Sequence, residues 1–263
     1  MGRVIRFTTF IFTAFLLVVI SSMLRPQQAH SSDYTFSYKL KPGQTWLSKK
    51  TSVLRFRSRR GNVEQVSKRL VKFKISDSAT PGYVDIIARV LEQTNDNRRI
   101  RTFEGVLFKG TLKSDGTLFY YTFSGGSAHY RPIIEAACPA MEYEIFWMPR
   151  FPAHPLKIGD HFKNNLKMKM AGAAGPGMKG QVRWEYSLTA VNGHMARFSA
   201  LDQSFMKSPS VSARSAGREV SLFDMREGMW TEFNIRTKGQ AYGPAMRGGK
   251  DYQQVIKIKI QKQ

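Results

Sequence analysis

Cysteine is almost absent from this sequence, and Cys138 is the only one in 263 residues. A lone cysteine excludes an intramolecular disulfide, so the folded chain depends on an ordinary hydrophobic core. Cys138 is flanked by alanines and by Pro139, an apolar setting in which a free thiol usually packs as a small hydrophobic side chain. We therefore favour a packing role for it over a redox or intermolecular one.

Motifs that would identify an enzyme or a metal site are also missing. The sequence has no His-Glu-x-x-His, paired Cys-x-x-Cys, Gly-x-Ser-x-Gly or phosphate-loop pattern. Met168 and Met170 have a spacing that could suit copper, but they share a predicted strand face with Leu166, which favours core packing. These absences predict a protein that is not an enzyme and that uses no cofactor and no metal.

The N-terminus has the pattern of a signal peptide. Arg3 and Arg6 precede an uncharged, mostly apolar run over residues 7–24, and small residues follow around Ala29. We predict that residues 1–31 are a cleaved signal and that the remaining chain is periplasmic or extracellular. An uncleaved membrane anchor is the alternative, because the run of 18 residues is near the lower limit for a spanning helix.

Acidic side chains are scarce. Without residues 1–31, the chain keeps 38 lysines and arginines against 19 aspartates and glutamates, a formal charge of about +19. Such an excess predicts an anionic partner, namely anionic lipid, lipopolysaccharide or acidic polysaccharide, and is compatible with peripheral membrane contact or an envelope protein partner. Export argues against nucleic acid. A basic surface that serves only solubility is the alternative.

Apolar and polar residues alternate along most of the chain after residue 31. Residues 182–189 and 256–261 are two clear examples. A period of two is typical of antiparallel strands that have one buried face and one wet face. The sequence therefore predicts an all-β fold.

The two halves of this β-rich region resemble each other. Three glycines recur in the same order at offsets of 111 to 116 residues: Gly43 with Gly159, Gly82 with Gly193, and Gly116 with Gly228. Ordered offsets of this kind indicate an internal duplication. We predict a duplicated antiparallel meander that forms two curved sheets or half-barrels. The first β repeat would span 32–125 and the second 156–263, joined by an apolar, proline-rich connector over 126–155.

Long loops alternate with tight turns in both predicted meanders. Alternate connections of a meander lie at the same end of the sheet, so we expect the long loops to share one rim. Mobile, cationic loops on a rigid scaffold are common binding sites. The predicted ligand-binding residues on this rim are Arg57, Arg59, Arg60, Arg98, Arg99, Arg214, Arg247 and Lys250. Trp184 and Trp230 are further candidates, as aromatic rings that could line a concave face. The alternative is that these loops are basic only because loops are polar.

The stretch FPAHPLKIGDHF, residues 151–162, is similar to a signature of a family of exported, β-rich bacterial proteins. Their second half often opens with an L-P-x-x-P-V-x-V-G-D-x-W pattern, in which Phe162 here replaces the usual tryptophan. More distantly, the chain resembles the curved sheets of periplasmic lipoprotein-carrier and lipid-binding half-barrels. The resemblance implies export and a β-rich fold, and it supplies no catalytic residues.

Two functions remain open from the sequence. The first is a non-enzymatic binding protein of the cell envelope, whose ligand is an anionic amphipathic or polyanionic molecule. The second is a structural or assembly protein of the envelope or extracellular matrix without an internal ligand pocket. An open concavity would favour the first, and a closed core would favour the second.

Overall fold

The protein is built from antiparallel strands. The computed structural model describes residues 32–58, 61–135, 148–170, 178–208, 211–243 and 246–263. The predicted signal peptide, Arg59, Arg60 and Cys138 lie outside these ranges. Residues Tyr34–Gln263 form one compact unit.

Twelve strands are described. In chain order they are β1 (Thr45–Ser58), β2 (Gly61–Asp77), β3 (Tyr83–Asn95), β4 (Arg98–Arg99), β5 (Val106–Lys113), β6 (Leu118–Gly125), β7 (His161–Met170), β8 (Met178–Asn192), β9 (Met195–Lys207), β10 (Ser212–Asp224), β11 (Met229–Gly243) and β12 (Met246–Lys262). The helical residues within the described ranges are a 3₁₀ turn at Ala128–Tyr130 and residues 131–135. The all-β prediction is therefore confirmed. In this part of the chain no helix has the length and apolar character needed to span a membrane.

All twelve strands belong to one sheet. Its order is β6-β5-β3-β2-β1-β12-β11-β10-β9-β8-β7, and β4 pairs with β3 beside this path. Each half of the chain is a meander of sequential neighbours, as predicted. The halves meet where β1 pairs antiparallel with β12, from Trp46 opposite Lys262 to Phe56 opposite Tyr252. Because this long ladder joins them, the two meanders form one continuous sheet instead of the two sheets expected.

The connections lie at two opposite ends of the sheet, but the predicted contrast between long loops and tight turns is wrong in part, because the strands extend further than expected: only two residues separate β1 from β2 and β11 from β12. At one end, called the turn end here, short connections follow β2, β5, β8 and β10. Gly82, Gly116, Gly193 and Gly228 lie in these connections with φ between 56° and 93°, a region that glycine enters without a Cβ clash. The connections after β1, β3, β7, β9 and β11 lie at the other end, the loop end. The predicted glycine pairs thus occupy equivalent positions in the two meanders.

The two faces of the sheet differ in burial. One face, called the inner face, carries large buried rings that include Trp46, Phe73, Phe108, Phe198 and Phe233. Side chains alternate between faces along each strand, so the residues between them point to the opposite, outer face. Most of the outer face is exposed. The alternation of apolar and polar residues in the sequence thus corresponds to the alternation of inner and outer side chains along each strand.

Two segments outside the strands cover the inner face at the turn end. They are residues 34–40, called the strap here, and residues 148–156. A backbone bridge between Tyr34 and Leu156 holds them together. Phe36 from the strap stacks on Phe151 from the second segment, with ring centroids 5.4 Å apart. The concavity at this end is therefore filled by the chain itself.

Trp230 lies at the centre of this core. Its ring stacks on Phe151 with centroids 5.6 Å apart, and its Nε1–H donates to the Tyr38 hydroxyl at 2.6 Å. The Tyr38 hydroxyl in turn donates to the carbonyl oxygen of Pro149 at 2.9 Å. Burial raises the pKa of Tyr38 well above its ordinary value, so the phenol keeps the proton that it donates. This chain of bonds fastens the strap to the sheet.

Candidate functional site

The outer face near the loop end carries a concentration of exposed basic side chains. They stand on β8 to β11 between inner-face neighbours, as Arg183 does between the buried Val182 and Trp184. The seven exposed cations of this surface are Lys179, Arg183, Lys207, Arg214, Arg218, Arg236 and Lys238. Strand geometry therefore places these charges in water while their neighbours form the core.

A groove crosses this surface over several strands. Its central part has a volume of about 600 Å³ and is lined by residues of β8 to β11 that include Arg183, Gln203, Phe205, Arg214 and Lys238. A second part, of about 420 Å³, shares Phe205 and Arg214 and extends towards the loop end. A third part, of about 780 Å³, shares Lys238 and extends over β12 to β1 and β2. We call the central and second parts together the outer groove.

Like charges face each other across neighbouring strands of the outer face. Arg218 on β10 lies directly opposite Arg236 on β11, and Lys179 on β8 lies opposite Lys207 on β9. Within the described residues, neither pair is bridged by an acidic side chain. Directly opposed like charges destabilise a sheet, so the folded chain tolerates an unfavourable arrangement here.

Aromatic rings accompany the cations of the outer groove. Phe205 is 39% exposed, and the Arg214 guanidinium lies 5.5 Å from its ring centroid. Tyr242 is 44% exposed and donates its hydroxyl hydrogen to Gln240 Oε1 at 2.5 Å. Exposed rings beside cations provide a flat apolar surface next to a charge. A ligand of the groove can therefore be contacted by charge and by an apolar face together.

Acidic residues enter only the third part of the groove. Glu64 pairs with Arg55 at 2.7 Å, and Asp251 accepts a hydrogen bond from Gln240 at 2.8 Å. These acids lower the local positive charge over β1, β2 and β12. Within the groove, the positive charge is therefore highest in the central and second parts, whose lining, among the described residues, contains no acidic residue.

The structure places the predicted basic residues at one end but on different faces. Arg57 and Arg214 are exposed on the outer face at the loop end. Lys250 lies on the inner face, where its Nζ is 6.0 Å from the Phe56 ring centroid. Arg98 and Arg99 lie in β4 at the loop end, and Arg99 pairs with Glu104 at 2.7 Å. Arg247 is described only through its backbone in β12.

The two predicted tryptophans lie in the core. Trp184 is 3% exposed and Trp230 is 1% exposed. Both point to the inner face, where Trp230 packs against the strap and against Phe151. Neither ring is therefore exposed to a ligand, and in front of Trp230 the space is occupied by the strap and Phe151.

Several residues of the outer groove were not predicted from the sequence. They are the strand-borne residues Arg183, Gln203, Phe205 and Lys238, and the prediction considered only loops. The sequence did contain a sign of them, because each stands at an outward-facing position in the alternation of apolar and polar residues along its strand. What the sequence could not show is which outward positions of separate strands align in one row.

Two buried carboxyl groups lie on the inner face behind this surface. Glu219 on β10 is 1% exposed, and Tyr186 donates its hydroxyl hydrogen to Glu219 Oε2 at 3.4 Å. Burial, with a smaller contribution from the nearby Asp202 on β9, raises the pKa of Glu219 to about 8, although hydrogen bonds from Ser221 and Tyr186 lower it. Burial also raises the pKa of Asp202 to about 6. At neutral pH Glu219 is therefore largely protonated, whereas Asp202 is largely ionised, so only Asp202 offsets positive charge on the other face.

Neither a metal-binding arrangement nor similarity to known proteins assigns a function to the chain. In the described ranges, no group of three His, Cys, Asp or Glu side chains is arranged to hold a metal ion. No protein family matches this chain, and no curated protein matches it.

Proposed function

We propose that the protein is a non-enzymatic binding protein of the cell envelope or extracellular matrix, and that it binds a polyanion on the outer face near its loop end. The observation that carries this proposal is the opposed pair Arg218 and Arg236, which the fold holds together without a bridging acid. An anionic ligand over these strands would relieve their repulsion. Export of the chain remains a prediction from its N-terminus.

The form of the surface favours a ligand that lies on the protein over one that enters it. The inner face at the turn end is packed with aromatic rings from the strap and from the sheet. The outer groove is shallow, exposed and basic. These features support polyanion binding on a strand surface more than the burial of a lipid tail, for which Trp184 and Trp230 would have to be accessible.

The mechanism of binding is Coulomb attraction followed by specific contacts. Exposed charges interact over a distance that shrinks from about 10 Å at 0.1 M salt to about 3 Å at 1 M salt. The net positive charge would bring a polyanion to the surface, and the guanidinium groups of Arg183 and Arg214 could then hold carboxylate or phosphate oxygens with paired hydrogen bonds. Affinity should therefore fall steeply with added salt.

The test compares two triple variants that remove the same charge. Arg183→Gln/Arg214→Gln/Lys238→Gln removes three cations of the outer groove. Lys72→Gln/Lys74→Gln/Lys163→Gln removes three exposed cations of the outer face nearer the turn end. Binding to inorganic polyphosphate and to polymannuronate would be measured by titration calorimetry at low and high salt.

We expect the groove variant to lose at least about tenfold in affinity for one or both polymers, equivalent to about 1.4 kcal/mol. The matched variant should lose no more than about threefold, because dispersed exposed charges contribute weakly. Equal losses would show that net charge alone matters, and absence of binding to both polymers would refute the proposal.

The assembly role is favoured by one further observation. The inner face is covered at the turn end, which leaves the basic outer face accessible and suits attachment to an acidic matrix. Sedimentation of the purified protein with and without polymannuronate would separate simple binding from assembly. Formation of large complexes at a fixed protein-to-polymer ratio would support assembly, and saturable binding of single molecules would not.

A further inference from the structure

The outer groove is lined by amide side chains as well as by cations. Gln181 on β8, Gln203 on β9 and Gln240 on β11 all contribute to its central part. An amide presents two N–H donors and one carbonyl acceptor, whereas arginine and lysine only donate. A phosphate polymer offers almost only acceptors, so the amide carbonyls would have no use there. Hydroxyl groups, which both donate and accept, match this lining better.

Most of these amides are held in place by hydrogen bonds. Gln181 Nε2 donates to Asn165 Oδ1 at 2.9 Å, and the Arg183 guanidinium donates to Gln181 Oε1 at 3.4 Å. Gln240 is fixed between Asp251 and Tyr242. Side chains that are already ordered lose less entropy when a ligand binds. The groove is therefore arranged before any ligand arrives.

The groove runs across the strands, so its lining repeats at the spacing between neighbouring strands. It crosses β8, β9, β10 and β11, and adjacent strands lie about 4.8 Å apart. This spacing is close to the length of one pyranose residue in an extended polysaccharide. Cations occur over β8, β10 and β11, at Arg183, Arg214 and Lys238, and the exposed ring of Phe205 lies over β9. Successive sugars could thus lie over successive strands.

We propose that the ligand of the outer groove is an acidic polysaccharide of the uronic acid type. This inference rests on the polyanion-binding function proposed above and specifies its ligand. The guanidinium groups of Arg183 and Arg214 bind sugar carboxylates, and Gln181 and Gln203 exchange hydrogen bonds with ring hydroxyls. The C–H face of a pyranose packs on Phe205, as apolar surfaces do on aromatic rings. Charge brings the polymer to the surface, and the amides and the ring select it.

The test uses four probes with the purified protein. Polymannuronate carries the proposed chemistry, and β-1,4-mannan has the same ring repeat without the carboxylate. Inorganic polyphosphate carries charge without hydroxyls, and vesicles containing an anionic phospholipid present headgroups on a surface. Affinities would be measured at one fixed salt concentration for the wild-type chain and three variants.

The variants separate recognition from charge. Gln181→Met/Gln203→Met removes the amides and keeps side-chain length and net charge. Gln261→Met makes the same kind of substitution at an exposed position at the turn end of β12. Phe205→Leu removes the aromatic ring and keeps an apolar side chain. Circular dichroism would verify that each variant folds.

We expect the wild-type protein to bind polymannuronate more tightly than the other three probes. The double glutamine variant should lose about tenfold in affinity for polymannuronate, the effect of a few lost hydrogen bonds, and less than about twofold for polyphosphate. Phe205→Leu should lose about threefold for polymannuronate only, and Gln261→Met should change neither affinity.

Two outcomes would overturn this inference while the polyanion function survives. In the first, polyphosphate or the anionic vesicles bind at least as tightly as polymannuronate. In the second, the double glutamine variant and Phe205→Leu bind polymannuronate as the wild type does, although the Arg183→Gln/Arg214→Gln/Lys238→Gln variant binds it weakly. Failure of all anionic probes would instead refute the proposed function itself.

Discussion

The turn end and the loop end of the sheet are made from the same strands but differ in what their inner faces carry. Along β11, Phe233 and Ile235 are buried near the turn end, whereas Gly239 and Ala241 stand on the same face near the loop end. The large rings give way to small residues, and the strap covers only the first region. Among the described residues, the large buried rings are thus concentrated at the turn end, and the long strands extend beyond them.

The residues that stabilise the fold and those proposed to bind a ligand thus lie in different parts of the sheet. At the turn end, rings and hydrogen bonds such as Trp230 to Tyr38 hold the fold together. Midway along the outer face, the opposed cations Arg218 and Arg236 weaken the sheet beside the proposed site. Binding regions are commonly drawn from the less stable part of a fold. The contrast between the two ends can be tested in four ways.

The largest effect is expected from the core of the turn end. Trp230→Ala should lower the free energy of unfolding by about 4 kcal/mol, because it removes a large buried ring that Tyr38 and Phe151 contact. Phe205→Ala, at an exposed ring of the loop end, should cost less than about 1 kcal/mol. Denaturant unfolding measures both, and similar losses would contradict the proposed division.

Glu219 makes stability depend on pH. Its pKa is raised from 4.5 to about 8 in the folded state, so between these values the folded chain holds a proton that the unfolded chain releases. The free energy of unfolding should therefore fall as pH rises from about 5 to 8. Glu219→Gln should remove most of this slope and gain on the order of 3 kcal/mol at pH 8.

The control for this prediction is Asp202, whose pKa is raised to about 6. Asp202→Asn should flatten the pH dependence of the free energy of unfolding only below about pH 6. Above that value Asp202 is ionised in both the folded and the unfolded chain, so it contributes no slope. Unfolding titrations at several pH values would show the two windows. A Glu219→Gln variant with the slope of the wild type would contradict the assignment.

The contact of the strap with the turn end can be tested at a glycine. Gly228 has φ 62°, and a Cβ there would collide with the backbone nitrogen of Lys39 in the strap. Gly228→Ala should cost about 2–3 kcal/mol, since it adds a steric clash to the strained φ. Gly43→Ala has φ 86° but open space around it, so it should cost only about 1 kcal/mol.

The smallest effect is expected at the opposed cations. Arg218→Gln should raise the melting temperature by about 1–2 °C at low salt, because it removes the repulsion from Arg236. The gain should disappear at high salt, where exposed charges are screened. Thermal melts at two salt concentrations measure it. A lower melting temperature at low salt would show that the pair doesn't carry a repulsive cost.

Much of the fold could be predicted from local sequence. The period of two identified the strands, and the glycine pairs identified turns with positive φ, as at Gly82 and Gly193. Parity within each meander also placed Arg57 with Arg98 at one end of the first half, and Arg214 with Lys250 at one end of the second. These features depend on neighbouring residues and on connection length, so a single sequence contains them.

The rest depended on contacts between distant residues. Nothing in the neighbouring sequence indicates that Trp46 pairs with Lys262. Without knowledge of this β1–β12 pairing, one continuous sheet and two separate sheets fit the sequence equally well. Trp184 stands on an inner face in either arrangement, and only the covering segments decide whether a ligand can touch it. Parity predicted the end at which Lys250 lies but not its face, because the cross-strand register decides the face.

The central position of β12 has a consequence for how the chain reaches this state. β12 follows every other strand in the sequence, yet it lies between β11 and β1 in the middle of the sheet. Until it docks, both neighbours present open edges that can pair with other chains. Joining β1 to β12 requires closing almost the whole chain into a loop, and such distant pairings make folding slow. The sheet can be complete only once its final strand has been made, and until then its open edges are surfaces of the kind that chaperones shield.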